Sequence, residues 1–184
     1  MVTHGYRFFN RGDYNLNIIG VRSADTHSNE FNDRICFAYY VNNMPMLHIF
    51  EATTDPGVYW RENLANVDGT AIVVPGQYPN LWKIGKHQGR YTALKQHRKI
   101  SVYRDSNLDG KIDTNVAIDT GMFGINMHHA SVNTISQNVD RWSAGCQVLA
   151  NRVDFDISIA LCKKSAEIHG NGFTYTLLDE ASIL

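Results

Sequence analysis

The sequence predicts a mainly β domain of the α+β class, with one helix packed near the C-terminus. Short runs rich in Val, Ile, Tyr and Phe recur through most of the chain, separated by Gly, Pro and Asn turn signals. Residues 151–169 instead carry a helical pattern with a start and a stop signal. The 184 residues, with ordinary apolar content, suit one domain over 1–184 with a sizeable core, and no repeat, low-complexity tract or linker divides them.

Taken in order, 16–22 reads as a first strand through its branched apolar residues, and the polar stretch 23–33 as a loop or short helical turn. Strands over 35–41 and 46–52 flank Asn42-Asn43-Met44-Pro45, a hairpin turn. Asp55 and Gly57 flank Pro56, whose fixed φ makes 53–57 a turn. Residues 59–68 mix aromatic and polar groups without a period, which suits a long loop over a cleft. Strands are expected over 69–75, 81–86, 91–96 and 99–104, with turns at Pro75-Gly76, at Pro79-Asn80 and between Gly85 and Gly89. Tyr78, Trp82 and Tyr91 are strand aromatics, suited either to the core or to lining a sugar or peptide groove. Residues 115–119 and 122–127 follow, the second delivering His128 to a cleft edge. Asn151 caps the helix, Asp154 sits near its positive end, and Val153, Ile157, Ala160, Leu161 and Ile168 fall on one face. Gly170 and Gly172 stop it, and 173–178 makes a last strand.

A net charge of −1 and the lack of a long basic run give no support for nucleic acid or an anionic membrane as partner. No apolar run approaches membrane-spanning length, and the first ten residues do not read as a secretory signal, so the expectation is a protein made in the cytoplasm. Three cysteines leave at least one thiol unpaired; Cys36 and Cys162 read as core packing, with a Cys36–Cys162 disulfide as the alternative. Zinc is unsupported, because there is no Cys-x-x-Cys pair and His128-His129 are adjacent. Asp105, Asn107, Asp109 and Asp113 fall at positions one, three, five and nine of a calcium loop, with Gly110 at six, but Val116 stands where a bidentate glutamate is expected. Either a structural calcium ion borrows a ligand from elsewhere, or the segment is an Asx-rich hairpin loop. No cofactor is required.

The chemistry gathers in Gly124-Ile125-Asn126-Met127-His128-His129-Ala130 and in Arg141-Trp142-Ser143-Ala144-Gly145-Cys146-Gln147. A cysteine following glycine at the start of a strand-like run, with a histidine shortly upstream, is the pattern of a thiol nucleophile and its base. Backbone N–H groups around Ala144, Gly145 and Cys146 are then candidate oxyanion donors. The alternative is a cysteine acting as a small hydrophobe and a histidine satisfied in the core or at the surface.

These segments resemble the active-site motif of the L,D-transpeptidase catalytic domain, a histidine followed after roughly fourteen to seventeen residues by Ser/Thr-His-Gly-Cys. Fourteen residues separate His128 from Ser143 here, and Ser143-Ala144-Gly145-Cys146 matches three of the four motif positions. Thr54-Asp55-Pro56-Gly57-Val58-Tyr59 is similar, with one residue shifted, to that family's Thr-Pro-x-Gly-x-Phe/Tyr element. The chain also looks like an outlying phage and bacterial branch that reads Gly-Ile-Asn-Ile-His-Arg-Ala and Trp-Ser-Ala-Gly-Cys-Gln. Ala144 replaces the motif's second histidine, and the arginine or asparagine just after the cysteine has no clear counterpart before Gln147-Val148-Leu149.

The resemblance implies a β-sandwich with a helix against it, and Cys146 as nucleophile. It also implies His128 as base, ion-paired with the thiolate, and the carbonyl of His129 orienting the ring. Trp142, Ser143, Thr54 and Tyr59 would meet the substrate. The implied partner is bacterial peptidoglycan, cleaved at meso-diaminopimelate through a thioester by an endolysin-like L,D-carboxypeptidase or L,D-endopeptidase. The enzyme would act on the wall after release or export. Alternatives are an L,D-transpeptidase or D-amino-acid exchange enzyme, a non-catalytic wall-binding module, and a phage structural protein.

Overall fold

The computed structural model describes residues 1–25 and 29–183. Its strands are β1 (Asn17–Arg22), β2 (Asp33–Val41), β3 (Met44–Thr53), β4 (Thr70–Val73), β5 (Gly76–His87), β6 (Tyr91–Gln96), β7 (Ile100–Asp105), β8 (Ile118–Gly121), β9 (Met127–His129), β10 (Gln147–Leu149) and β11 (Phe173–Asp179). A short helix α1 (Val58–Glu62) and a long helix α2 (Arg152–His169) complete the regular structure that bears on the site. The chain is mainly β, with 40% strand and 16% helix.

The expected sandwich is replaced by a barrel and a small sheet. Eight strands close in the order β1-β11-β5-β6-β9-β10-β3-β2, and β4, β7 and β8 form a separate three-stranded sheet. Closure follows from β1, which pairs antiparallel with β2 on one side and parallel with β11 on the other, so the larger sheet keeps no open edge. On β2 the residues alternate; Ile35, Phe37 and Tyr39 are buried while Cys36 and Ala38 between them are not. Trp82 belongs to the core, with its ring 4.5 Å from that of Tyr175.

Several boundaries move for local reasons. Asn42 and Asn43 both have positive φ, so the hairpin closes in a two-residue turn and β3 starts at Met44. At Pro79-Asn80 the chain does not turn; Asn80 takes φ 50° and β5 runs on, with the register against β11 slipping between Phe173 and Tyr175. The expected loop over 59–68 begins instead as α1. Within the polar stretch 23–33, residues 26–28 lie outside the described residues, Glu30 bridges to Asn138 and Asp33 opens β2.

The helix starts where Asn151 predicts, its side chain accepting the Val153 N–H at 2.9 Å, and ends at Gly170 with φ 87°. Its buried face is not the expected one. Phe155, Ile159 and Cys162 point inward with Ser158 and Ser165, whereas Val153 is 63% exposed and Ile168 51% exposed. The helix packs against β6, β9 and β10, and small serines allow that approach; the Ser158 hydroxyl is satisfied by Asp154 O at 2.8 Å. Choosing the face by aliphatic spacing overlooked these serines. All three cysteines are free; Cys162 is buried and Cys36 only half-buried, so no Cys36–Cys162 bridge exists. Among the described residues no helix is long and apolar enough to cross a membrane.

The two helix faces make different predictions. Phe155→Ala should cost about 3–5 kcal/mol in chemical denaturation, as large core truncations do, and Val153→Ala less than about 0.5 kcal/mol. Equal costs would restore the aliphatic face.

Candidate active site

The site is built on β9 and β10, which run parallel with Met127 opposite Gln147, His128 opposite Val148 and His129 opposite Leu149. The Gln147 N–H donates to Asn126 O at 2.9 Å, which sets Cys146, the residue before β10, beside the residues leading to His128. Alternation turns Cys146 and Val148 to one face and Gln147 to the other. Gln147 is fully buried; it accepts the Tyr175 hydroxyl at 2.6 Å and donates to Thr54 O and Gly145 O, each at 3.3 Å. The cysteine is thus tied from behind to the barrel interior.

Ser143 folds the turn before the cysteine. Its hydroxyl donates to Cys146 O at 2.8 Å and accepts the Gly145 N–H at 3.1 Å, while its carbonyl accepts the Gly57 N–H at 2.9 Å. Gly145 has φ 118°, and a Cβ there would run into Ala71 O, so only glycine fits. The segment around Gly57 therefore lies against the cysteine turn, and the two sequence elements that were read together do meet. Their predicted substrate contacts do not all survive. Ser143 and Thr54 are fully buried, and the Thr54 hydroxyl is occupied by Asp33 at 2.8 Å and Arg22 at 3.2 Å; both are structural. Tyr59 is spent on a cation–π contact, with Arg141 3.9 Å above its ring. Trp142 is 42% exposed and lines a cleft.

His128 is buried, and its Nδ1–H donates to His129 O at 2.8 Å, the orientation expected. That bond leaves Nε2 with the lone pair, the form a base needs. The His129 ring itself is turned away, bonded to Ala130 O at 2.9 Å and packed on Tyr91 and Phe155. A second imidazole stands beside His128, its ring centroid 4.2 Å away; it is His87, from the end of β5. The Gln96 N–H donates to Asn126 Oδ1 at 2.9 Å, which turns Asn126 Nδ2 toward His87 Nδ1 at 3.2 Å. His87 therefore carries its proton on Nε2.

Burial pushes the His128 imidazole down to about 3, outweighing the bond to His129, and His87 and His129 nearby add to the effect. Burial also pushes the Cys146 thiol up to about 11, against the Asn126 backbone. The resting pair is consequently a neutral thiol and a neutral imidazole, in place of the expected ion pair. Among the described residues the sulfur's hydrogen bond is to Gly124 O at 3.5 Å, with none to the ring. Tyr91, raised to about 12 by burial and by Cys146, stays protonated beside them. Of the oxyanion candidates, Gly145 N–H is already bound by Ser143; the N–H groups of Ala144 and Cys146 have no hydrogen-bond partner among the described residues.

The cysteine turn separates two clefts. Ala144 lines one of about 370 Å³ together with Trp60, Met122 and Phe123. Trp142 lines the other, of about 450 Å³, together with His87, Tyr91 and His128. In the loop read for calcium, Asn107 Nδ2 donates to Asp109 Oδ2 and to Asp113 Oδ2, both at 3.1 Å, and Asn107 Oδ1 accepts the Asp109 N–H. Arg61 reaches in to Gly110 O at 2.5 Å, and Asp105 is buried. A guanidinium thus supplies positive charge to an Asx-rich loop, and no ligating group of three His, Cys, Asp or Glu exists among the described residues. His87, Gln96 and Trp60 were missed in the sequence, because a lone histidine, glutamine or tryptophan on a strand or loop carries no motif.

Two measurements check the neutral pair. Alkylation of Cys146 by iodoacetamide, followed by peptide mapping, should accelerate continuously with pH toward about 11; a plateau near neutrality would indicate the ion pair. His128 has a folded pKa below its unfolded one, so the unfolded chain binds the proton first as pH falls and stability is lost between about 6.5 and 3. Across that window His128→Gln should flatten the slope by up to about 1.4 kcal/mol per pH unit.

No protein family, curated protein or solved structure matches the chain.

Proposed function

We propose that the chain is a cysteine-dependent enzyme that cleaves peptidoglycan stem peptides at meso-diaminopimelate through a thioester. The observation that carries this reading is the placement of Cys146 immediately before β10, alongside the parallel strand β9 that carries His128 with its Nδ1 bonded to His129 O, in a turn whose Ala144 and Trp142 line two clefts. In the proposed reaction the Cys146 Sγ attacks the scissile carbonyl while its proton passes to His128 Nε2. Because thiol and imidazole both rest neutral, proton transfer accompanies carbon–sulfur bond formation; His128 acts as a general base and not as the partner of a stored thiolate. The oxyanion is received by the N–H groups of Cys146 and Ala144. The carbon–nitrogen bond then breaks, the proton moves from His128 to the leaving amine, and water, deprotonated by the same ring, releases the acid and restores the thiol.

Water as the second reactant makes the enzyme an L,D-carboxypeptidase or L,D-endopeptidase; an amine would make it a transferase. A wall-binding module without turnover is the second reading, and the raised thiol and lowered imidazole are what favour it.

Mass spectrometry of muropeptides discriminates these outcomes. Loss of a D-residue or of a crosslink with the wild type and not with Cys146→Ala is expected, and His128→Ala should lower kcat by at least about a hundredfold. New crosslinks or exchanged D-residues would move the reading to a transferase. Unchanged muropeptides in every sample would leave the binding module.

A further inference from the structure

The two clefts differ in charge. In the cleft beside Ala144 the cation is Arg104, and it is neutralised: its Nη2 lies 2.8 Å from Asp119, Nη1 donates to Gly69 O, and the guanidinium sits 4.5 Å above the Phe123 ring. The cleft beside His128 contains Arg90 and Arg141 and no Asp or Glu in its walls. Neither arginine has an ion-pair partner among the described residues; Arg141 is steadied from below by the Tyr59 ring at 3.9 Å. The cleft continues past Arg90 and Tyr91 into a groove along α2 that holds Lys86 and Lys163, where the lining carboxylate, Asp156, is already paired with Arg152 at 2.9 Å. On this side Lys86, Arg90, Arg141 and Lys163 have no ion-pair partner among the described residues. His87 adds an N–H donor, because its Nδ1 is committed to Asn126.

An arginine held flat against an aromatic ring keeps its edge N–H groups free, and that fork matches a carboxylate. The position of the fork relative to the chemistry then identifies which carboxylate. The acid that protonates the leaving amine is His128, which lines this cleft, whereas the oxyanion donor at Ala144 lines the other.

We propose that the His128-side cleft binds a carboxylate on the departing, amine-side fragment, through Arg141 and Arg90. The substrate class is then a peptide whose cleaved residue ends in a free C-terminal carboxylate, and the enzyme is a carboxypeptidase in preference to an endopeptidase. The assignment of sides rests on the reaction proposed above; the anion preference of the cleft does not.

Calorimetry with Cys146→Ala, which cannot turn over, separates the two. The probes are the stem tetrapeptide ending in D-alanine, as the free acid and as its C-terminal amide, which differ only in the charge in question. The free acid should bind at least about tenfold more tightly, since a charge-assisted arginine pair is lost in the amide. Arg141→Gln and Arg90→Gln, both at exposed positions, should each reduce that ratio, and the double variant should bring it near one with an unchanged melting temperature. Equal affinities for the two probes, no measurable binding of either, or a ratio that survives the double variant overturns the proposal. If the ratio behaves as expected while wild-type protein cleaves neither probe, the anion subsite stands and the hydrolytic reading falls.

Discussion

The parallel pairing of β9 with β10 is the contact on which the site depends. Two three-residue strands make too short a ladder to hold themselves, and a parallel pair cannot be closed by a tight hairpin. The chain must leave β9, cross the segment 130–146 and return alongside. Side chains replace what the ladder lacks. The Gln96 side chain accepts the N–H groups of Phe123 and Ile125 at 3.0 and 2.8 Å and donates to Gly121 O at 3.0 Å, folding the approach to β9. Trp82 Nε1 donates to Ile125 O at 2.9 Å, and Gln147 does the corresponding work for β10. Each bond adds about 1 kcal/mol net, but a buried backbone group left without its partner costs about 1–3 kcal/mol. Geometry here is held by the penalty for breaking these bonds more than by their strength.

Beneath Gln147 lies a buried charged cluster that gives this arrangement a second anchor. Burial disfavours the Arg22 charge, but Asp55, Asp33 and Asp179 outweigh it and raise its pKa. Arg22 Nε is 2.9 Å from Asp55 Oδ1, yet its N–H points to Thr54 Oγ1, so the carboxylate is met by charge and not by a hydrogen bond. Burial accordingly pushes Asp55 up to about 7 in spite of Arg22. Asp33 fixes Thr54 through its N–H and hydroxyl at 2.6 and 2.8 Å, and Thr54 O then receives Gln147. Such clusters rarely add net stability over an apolar core. This one specifies a position, because the bonds from Arg22 and Asp33 to Thr54, and from Gln147 to Thr54 O, tie the segment after β3 to the start of β10 in one register.

How much of this was legible in the sequence depended on whether a residue's role was local. The hairpin at Asn42-Asn43, the Asn151 cap, the Gly170 stop and the strand 91–96 were readable because backbone preference decides them within a few residues. The cysteine and histidine were readable as a pair because both lie in one stretch. Barrel closure was not, since it depends on β1 meeting β11 across nearly the whole chain. Ser143 and Thr54 were expected as substrate contacts by resemblance alone, and a motif position does not say whether a hydroxyl faces a ligand or, as here, the protein itself. The helix face was misassigned for a related reason: serine at a close approach packs as well as alanine, while hydropathy ranks it as solvent-facing.

His128 has a second imidazole beside it, on the side away from Ala144. The Ala144 cleft mixes apolar groups with Asn66, Thr70 and Arg104 and holds no histidine, and the imidazole beside His128 comes from β5. The two rings face each other with opposite tautomers. His129 O fixes the His128 proton on Nδ1, and the chain from Gln96 N–H through the Asn126 amide fixes the His87 proton on Nε2. Charging either ring would place a cation 4.2 Å from its neighbour in a buried setting, and burial lowers both pKa values before that repulsion is added. The pair is therefore held neutral from two directions, and burial keeps the lone pair on His128 Nε2 down to about pH 3. An imidazole so arranged has a low proton affinity and a constantly available lone pair, which suits the proposed reaction, in which the thiol would give up its proton only as the new bond to carbon forms.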